Sequence, residues 1–269
     1  MADRLATGAA VVLFAILLAI VAAPLAVVVA GSVLDPALLG LSSETWRAGA
    51  RHATWFDYVL SLYGRHLVRS GCLAAVVVVL SFALGAPAAY GLSRREDAFA
   101  RSLGALLDAP LAVPGLAVAI GLLLAYPRAR ASGATLAVGH LVYALPFFVR
   151  AARNALSSGG LPELEEAAAA AGAGRWQRFR RIVLPLARPG LLAGGLMAFT
   201  ISWGEFNVSF LLATPSTQTF PAALYLTYTS NSFPVAAAAT TLFLAAAVPP
   251  LMLLQRIASP EAAAFGEAA

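Results

Sequence analysis

Apolar residues run in blocks along this chain, and polar residues collect between the blocks. The first block, residues 9–30, is 22 residues long and carries no polar side chain. A secretory h-region runs to about 7–15 residues, so this length predicts an uncleaved spanning helix. Further blocks follow at 71–92, broken only by Ser81, and at 109–126, with Pro110, Pro114 and Gly115. The remaining blocks are 134–149, with His140 and Pro146, then 191–213, then 235–254, with Pro249 and Pro250 near its end. Each approaches the roughly 20 residues that a helix needs to cross about 30 Å of hydrocarbon. The pattern predicts an all-α integral membrane protein with six transmembrane helices. Prolines inside the blocks read as kinks, because neighbouring helices can satisfy the carbonyls they free.

The segments between blocks set the orientation. With both termini cytoplasmic, twelve arginines lie inside and six outside, which is the usual bias of basic residues across a membrane. Arg128 and Arg130 violate it locally. Among the outer segments, 35–66 is long and aromatic (Trp46, Trp55, Phe56, Tyr58, Tyr63) and predicts an interfacial helix. Segment 214–234 carries no charge and is rich in Thr, Ser, Tyr and Pro. The long first loop divides the chain into a first helix with its loop (1–65), a functional core (66–256) and a cytoplasmic tail (257–269).

Composition narrows the function classes. The chain is 60% hydrophobic and 12% charged, with a mean hydropathy of +0.81, whereas a soluble domain carries about 25% charged residues. The net charge of +5 comes from residues lying between apolar blocks, where topology signals belong, which argues against nucleic-acid binding. All 18 basic residues are arginine. A P-loop needs a lysine to reach the β- and γ-phosphates, so this chain cannot hydrolyse ATP by that route, and Schiff-base chemistry is excluded with it. Cys72 stands alone in an apolar run, and the three histidines fall in unrelated segments. Neither a catalytic constellation nor a metal cluster is predicted.

Segment 157–190 is the longest polar stretch in the second half. Pro162 can occupy a first helical position, where its missing N–H costs nothing. Glu163, Glu165 and Glu166 follow in the first turn, at the positive end of the helix dipole. Alanines 167–171 propagate the helix, and Gly172 can adopt the left-handed conformation that ends it. A second helix starts near Arg175, with Trp176, Phe179, Ile182 and Val183 at helical spacing. Leu184-Pro185 is expected to turn the chain back towards the membrane.

The spacing within this segment is similar to the EAA loop of ABC-importer permeases, E-A-A-x3-G-x6-F-x2-I-x-L-P. Glu166, Ala167, Ala168, Gly172, Phe179, Ile182, Leu184 and Pro185 occupy its positions in turn. The resemblance covers about 66–256 and implies the type I importer permease fold in a bacterial inner membrane. It implies that these eight residues couple the chain to separate ATP-binding subunits, which hold the ATP and Mg²⁺, while this chain binds no cofactor and catalyses nothing. It also implies a second permease subunit, a periplasmic solute-binding protein, a small solute and surrounding lipid as partners, and no nucleic acid.

Glu205 sits inside the fifth block, about 21 Å along the helix from Leu191 at 1.5 Å per residue. An ionisable group there is costly, and it either faces a cavity or has a structural partner. Ser202, Glu205 and Asn207 are the candidate lining of a translocation path. The stretch resembles permeases for polyamines, ferric iron, thiamine and phosphonates, and one carboxylate inclines the choice towards a cation such as spermidine or putrescine. An ion-coupled secondary transporter is the rival class, and it would place paired acids or broken helices at the midplane. Asp108 reads as a helix-terminal or interhelical contact, and Arg150 and Arg153 as interfacial anchors.

Overall fold

The computed structural model describes residues 2–33, 53–230 and 233–258. All regular structure among them is helical. The α-helices are α1 (Ala2–Val33), α2 (Ala53–Leu80), α3 (Ala86–Ser93), α4 (Ala98–Asp108), α5 (Gly115–Ala125) and α6 (Ala134–Ser157). They continue with α7 (Leu161–Ala170), α8 (Arg175–Arg178), α9 (Leu184–Gly204), α10 (Asn207–Leu212), α11 (Phe220–Ser230) and α12 (Phe233–Ala258). Among the described residues, five stretches are long and apolar enough to cross a membrane, and a bent pair, Ala98–Ala112 with Gly115–Ala125, makes six if it counts as one span.

Two compact units emerge. One comprises Met1–Arg65 with Ala223–Ala245, the other His66–Ala222 with Ala246–Ala269. In the first unit, residues 10–27 of α1 are exposed throughout, an apolar surface suited to lipid or to another chain. Near its end α1 becomes buried at Gly31 and Ser32, and a Cβ added to Gly31 would lie 2.5 Å from the Phe233 ring. The predicted interfacial helix at 35–66 is only partly assessable, since 34–52 lie outside the described residues. From Ala53 onward that segment is the beginning of α2 and forms no separate helix.

The second unit is built on α6 packed against α9. Small residues let the two backbones approach: a Cβ on Gly190 would overlap the Ala155 methyl, and one on Gly194 would lie 3.1 Å from the Phe148 carbonyl oxygen. Gly190 and Gly194 are four residues apart on one face, the small-xxx-small arrangement of membrane helix pairs. Phe148 is fully buried there and meets Phe82 edge-to-face with ring centroids 4.8 Å apart. A second cluster joins Ala119 of α5 and Leu136 of α6 to Val208 and Leu212 of α10.

Several blocks depart from straight spans. The third is entered through a bend of 104° between Ala98–Ala112 and Gly115–Ala125, so its first four residues belong to the preceding helical segment. Val113 precedes Pro114, whose ring pushes its neighbour into extended backbone, and Val113 is extended (φ −101°, ψ 129°). The Tyr143 hydroxyl donates to the freed Val113 carbonyl at 2.6 Å. The fifth block breaks at Glu205, so Glu205 stands between α9 and α10 and not within one helix. Leu184-Pro185 makes no turn: the helical path runs unbroken over Arg175–Gly204. A π-helical stretch, Phe179–Val183, precedes Pro185, and another, Ser81–Gly85, precedes Pro87. The wider turn relieves the clash between a proline ring and the carbonyl four residues earlier.

Candidate functional site

Helix α7 lies between glycine joints. Gly159 and Gly160 precede it with φ of 67° and 69°, and Gly172 follows with φ of 85°. Its C-terminus forms a Schellman motif: the Ala173 N–H donates to the Ala168 carbonyl and the Gly172 N–H to Ala169, both at 2.9 Å. The left-handed glycine read from the sequence is therefore present. Gly172 and Gly174 then lead into α8, whose Arg178 N–H donates to the Gly174 carbonyl at 3.0 Å.

Burial divides α7 into two faces. Leu161 is buried, and Glu165 and Ala168 are partly so, at helical spacing towards the core. Glu166 and Ala167 point outwards with Glu163, Leu164, Ala169 and Ala170. Just beyond the bend, Trp176 is 70% exposed and stacks on Phe179 at 5.8 Å. Ile182 is partly buried, while Leu184 and Pro185 are exposed. Phe179 and Leu184 line an apolar cavity of about 540 Å³ with Phe82, Ala86, Val183 and Leu191. The eight motif residues thus form one short stretch with an open acidic-and-alanine face, and no residue of that face is consumed by internal packing except Ala168.

The residue that holds this stretch to the core was not singled out by its sequence. Glu165 accepts a hydrogen bond from the Tyr90 hydroxyl at 2.6 Å and a forked pair from Arg94 Nε and Nη2 at 3.2 and 2.9 Å. Arg94 Nη1 also reaches the Leu156 carbonyl at 2.8 Å, tying in the end of α6. Partial burial pushes the Glu165 carboxyl up, but hydrogen bonds from Tyr90 and Arg94 and the charges of Arg94 and Arg178 outweigh it and hold it below the usual carboxylate range. The clamp is therefore at full strength above the unfolded value of about 4.3 and is lost as pH falls through the lowered folded value. Its partners lie 71 and 75 residues away, so no local pattern marks it.

The candidate path residues separate. Ser202 is buried and its hydroxyl lies 3.0 Å from His140 Nδ1, while His140 Nε2 lies 2.9 Å from the Ser209 hydroxyl. The imidazole thereby joins α6, α9 and α10, and Ser202 faces no open space. Glu205 Oε2 accepts from the Val208 and Ser209 N–H groups at 2.9 and 3.3 Å, which caps the start of α10. Asn207 alone of the three is exposed, beside Gly115 at the start of α5, where an added Cβ would lie 2.8 Å from the Asn207 Cβ.

Arginines read as topology signals also have structural partners. Arg130 donates to the carbonyls of Leu211, Leu212 and Ala213 at 3.0 to 3.2 Å. It closes the C-terminal end of α10, where a cation suits the dipole, which gives this arginine a structural role independent of topology. Arg150 pairs with Asp108 at 2.9 Å, the interhelical contact expected of that aspartate. Among the described residues no group of three metal-ligating side chains occurs.

Residues 81–263 match the family of binding-protein-dependent transport system inner membrane components. Among curated relatives, a probable ABC transporter permease protein, y4oR, from Sinorhizobium fredii is 29% identical over 67% of this chain and 64% of its own length. The molybdenum transport system permease protein ModB of Azotobacter vinelandii is 30% identical over 52% of this chain and 68% of its own. ModB of Escherichia coli is 44% identical over 35% of this chain and 41% of its own, and the sulfate transport system permease protein CysT of Escherichia coli is 35% identical over 42% of each. The chain thus spans between two fifths and about two thirds of these relatives' lengths. Their names point to molybdenum and sulfate, and none of these four points to a polyamine. A family match covering two thirds of a multi-span helical chain places the protein: it belongs to the binding-protein-dependent transport system inner membrane components, the permease subunits of ABC importers.

Proposed function

We propose that this chain forms half of the translocation path of an ATP-driven importer in the bacterial inner membrane, and that its cargo is a small tetrahedral oxyanion such as molybdate or sulfate. A periplasmic binding protein delivers the solute, a second permease subunit completes the path, and ATP with Mg²⁺ binds on separate ATPase subunits. Glu166, Ala167, Ala168 and Gly172 form the docking element for the ATPase, with Phe179, Ile182, Leu184 and Pro185 carrying its displacement into α9. The observation that carries this reading is the exposed Glu166-Ala167 face of α7, bounded by the left-handed Gly172. Methyl side chains permit close approach of a partner, and an exposed carboxylate supplies a charged hydrogen-bond acceptor. ATP-driven closure of the ATPase pair moves the docked loops and switches the helices between inward and outward access, with no bond chemistry on this chain.

The oxyanion assignment draws on the names of the relatives and on the loss of the argument for a cation. That argument rested on Glu205, whose carboxylate is engaged with the backbone of α10. Glu205→Gln, which keeps an acceptor oxygen, is expected to leave uptake within about twofold, while Glu205→Ala loses the cap and about 1 kcal/mol of stability. Equal loss of uptake in both variants, with normal stability, would assign the charge to solute handling.

Affinity purification of the tagged chain is expected to bring down an ABC ATPase, and proteoliposomes holding that complex are expected to take up molybdate only with ATP and the binding protein. Uptake driven by an ion gradient through this chain alone would establish the secondary-transporter reading in its place.

A further inference from the structure

Building on the proposed docking role of α7, we propose that Glu165 is the positioning residue that makes α7 and α3 move as one body, so that displacement of the docking face reaches α3 through a side chain. The backbone at either end of α7 is poorly suited to that task. Gly159 and Gly160 on one side and Gly172 on the other all adopt positive φ, and Gly172 and Gly174 have no atom near an added Cβ. Glycine carries the least steric resistance to rotation. A ten-residue helix of mainly small side chains between such joints would swivel unless something fixed its azimuth.

Beside the partly buried Pro162 and Ala168, Leu161 and Glu165 are its anchors towards the core. Leu161 is an apolar contact at the first residue and leaves the helix free to turn about it. Glu165 is one turn further on, and its carboxylate is held on both oxygens from the end of α3: Tyr90 of α3 on Oε1, and Arg94, the residue that follows α3, on Oε2. Two guanidinium N–H groups converging on Oε2, with the Tyr90 hydroxyl on Oε1, engage both carboxylate oxygens and so fix its direction as well as its distance. Side-chain exposure is 22% for Arg94 and 12% for Glu165, so the pair is screened less than a surface one. Arg94 is itself braced by the Leu156 carbonyl, the Ser93 hydroxyl and the Tyr90 ring, over which it sits at 5.1 Å. Arg178, at the end of α8, reaches the Glu165 carbonyl oxygen at 3.5 Å, so the return helix meets the same point. α3 continues without a break through the π-helical stretch into α2. Glu165 precedes the docking residue Glu166 directly, which puts the outward-facing and inward-facing carboxylates on adjacent positions of one helix: one for the partner, one for the core.

The test uses the full importer complex in nanodiscs with Cys72→Ala and spin labels on Glu96→Cys and Ala169→Cys, both exposed positions, beside molybdate uptake in proteoliposomes. With Glu165 intact, the label-to-label distance is expected to stay narrow and unchanged when ATP is added. In Glu165→Gln and in Tyr90→Phe, which change single atoms, the distribution is expected to broaden or shift with ATP. ATP hydrolysis should stay within about twofold while uptake per ATP falls about tenfold, a typical size for coupling between sites. The charge-exchanged pair Glu165→Arg with Arg94→Glu is expected to recover part of the coupling that either single change loses. An unchanged distance and normal uptake per ATP in Glu165→Gln would overturn the proposal. So would parallel loss of ATPase binding and uptake with no recovery in the exchanged pair, because that is the behaviour of a fold contact alone. If the unaltered chain binds no ATPase, the docking reading fails instead, which the purification reports before any variant is made.

Discussion

Gly194→Leu is expected to prevent the second unit from assembling, with loss of the monodisperse protein in detergent and a cost above about 3 kcal/mol, the upper end for overpacking. An added Cβ meets the Phe148 carbonyl oxygen and Cα, which are backbone and cannot rotate away. Phe148 cannot yield as a whole either, since Gly85 on its other side leaves an added Cβ only 2.6 Å from the same ring. The ring is thus held between two glycines. Gly190→Leu should behave alike, but its obstacle is the Ala155 methyl, so Ala155→Gly should restore part of the folded yield for Gly190→Ala. Gly121 in α5 has open space around an added Cβ, and Gly121→Ala should be neutral or slightly stabilising, as glycine-to-alanine changes in helices are. Thermal unfolding followed by size exclusion reads all four. Equal tolerance at Gly194 and Gly121 would mean that α6 and α9 do not pack as described.

Gly172→Leu should give the opposite profile: normal insertion and normal thermal stability to within about 2 kcal/mol, with uptake lowered about tenfold or more. Nothing crowds the position, so the penalty comes from φ of 85° alone. A side chain in that conformation costs about 1–2 kcal/mol, and the chain can escape it by unwinding the last turn of α7. Escape breaks the two Schellman hydrogen bonds and redirects the Glu166-Ala167 face. Gly172→Asn, the residue that next best tolerates left-handed backbone, should retain most uptake. ATPase binding by co-purification separates loss of docking from loss of coupling. Full uptake in Gly172→Leu would remove the bend from the mechanism.

Physical properties that act locally were legible in the sequence. Length and apolarity of a block decide whether it can span hydrocarbon, and the blocks at 9–30, 71–92, 134–149 and 235–254 all lie within long helices. A glycine closing an alanine helix needs no tertiary partner, and Gly172 took the left-handed form its position suggested. The lysine-free composition excluded a P-loop before any coordinates existed. Gly190 and Gly194 fall four apart across the start of the fifth block, and that spacing by itself marks a close helix pair.

Other features depend on partners distant in sequence, and only the tertiary structure decided them. Glu163, Glu165 and Glu166 share the first turns of one helix, and nothing local separates the one that faces Arg94 from the one that faces away. That is fixed by which side of α7 meets α3. The same holds for Ser202, whose hydroxyl is taken by His140 some 62 residues earlier, and for Arg130, whose three carbonyl partners lie at least 81 residues on. Glu205 is instructive in a different way, since its partners are only three and four residues away. Apolar neighbours made it look like a charge inside a continuous helix, and the competing capping interaction became visible only once the chain broke there. Segment 157–190 shows both sources at once: its bend was written in a glycine, and its attachment to the core in a carboxylate whose partner the fold alone supplied.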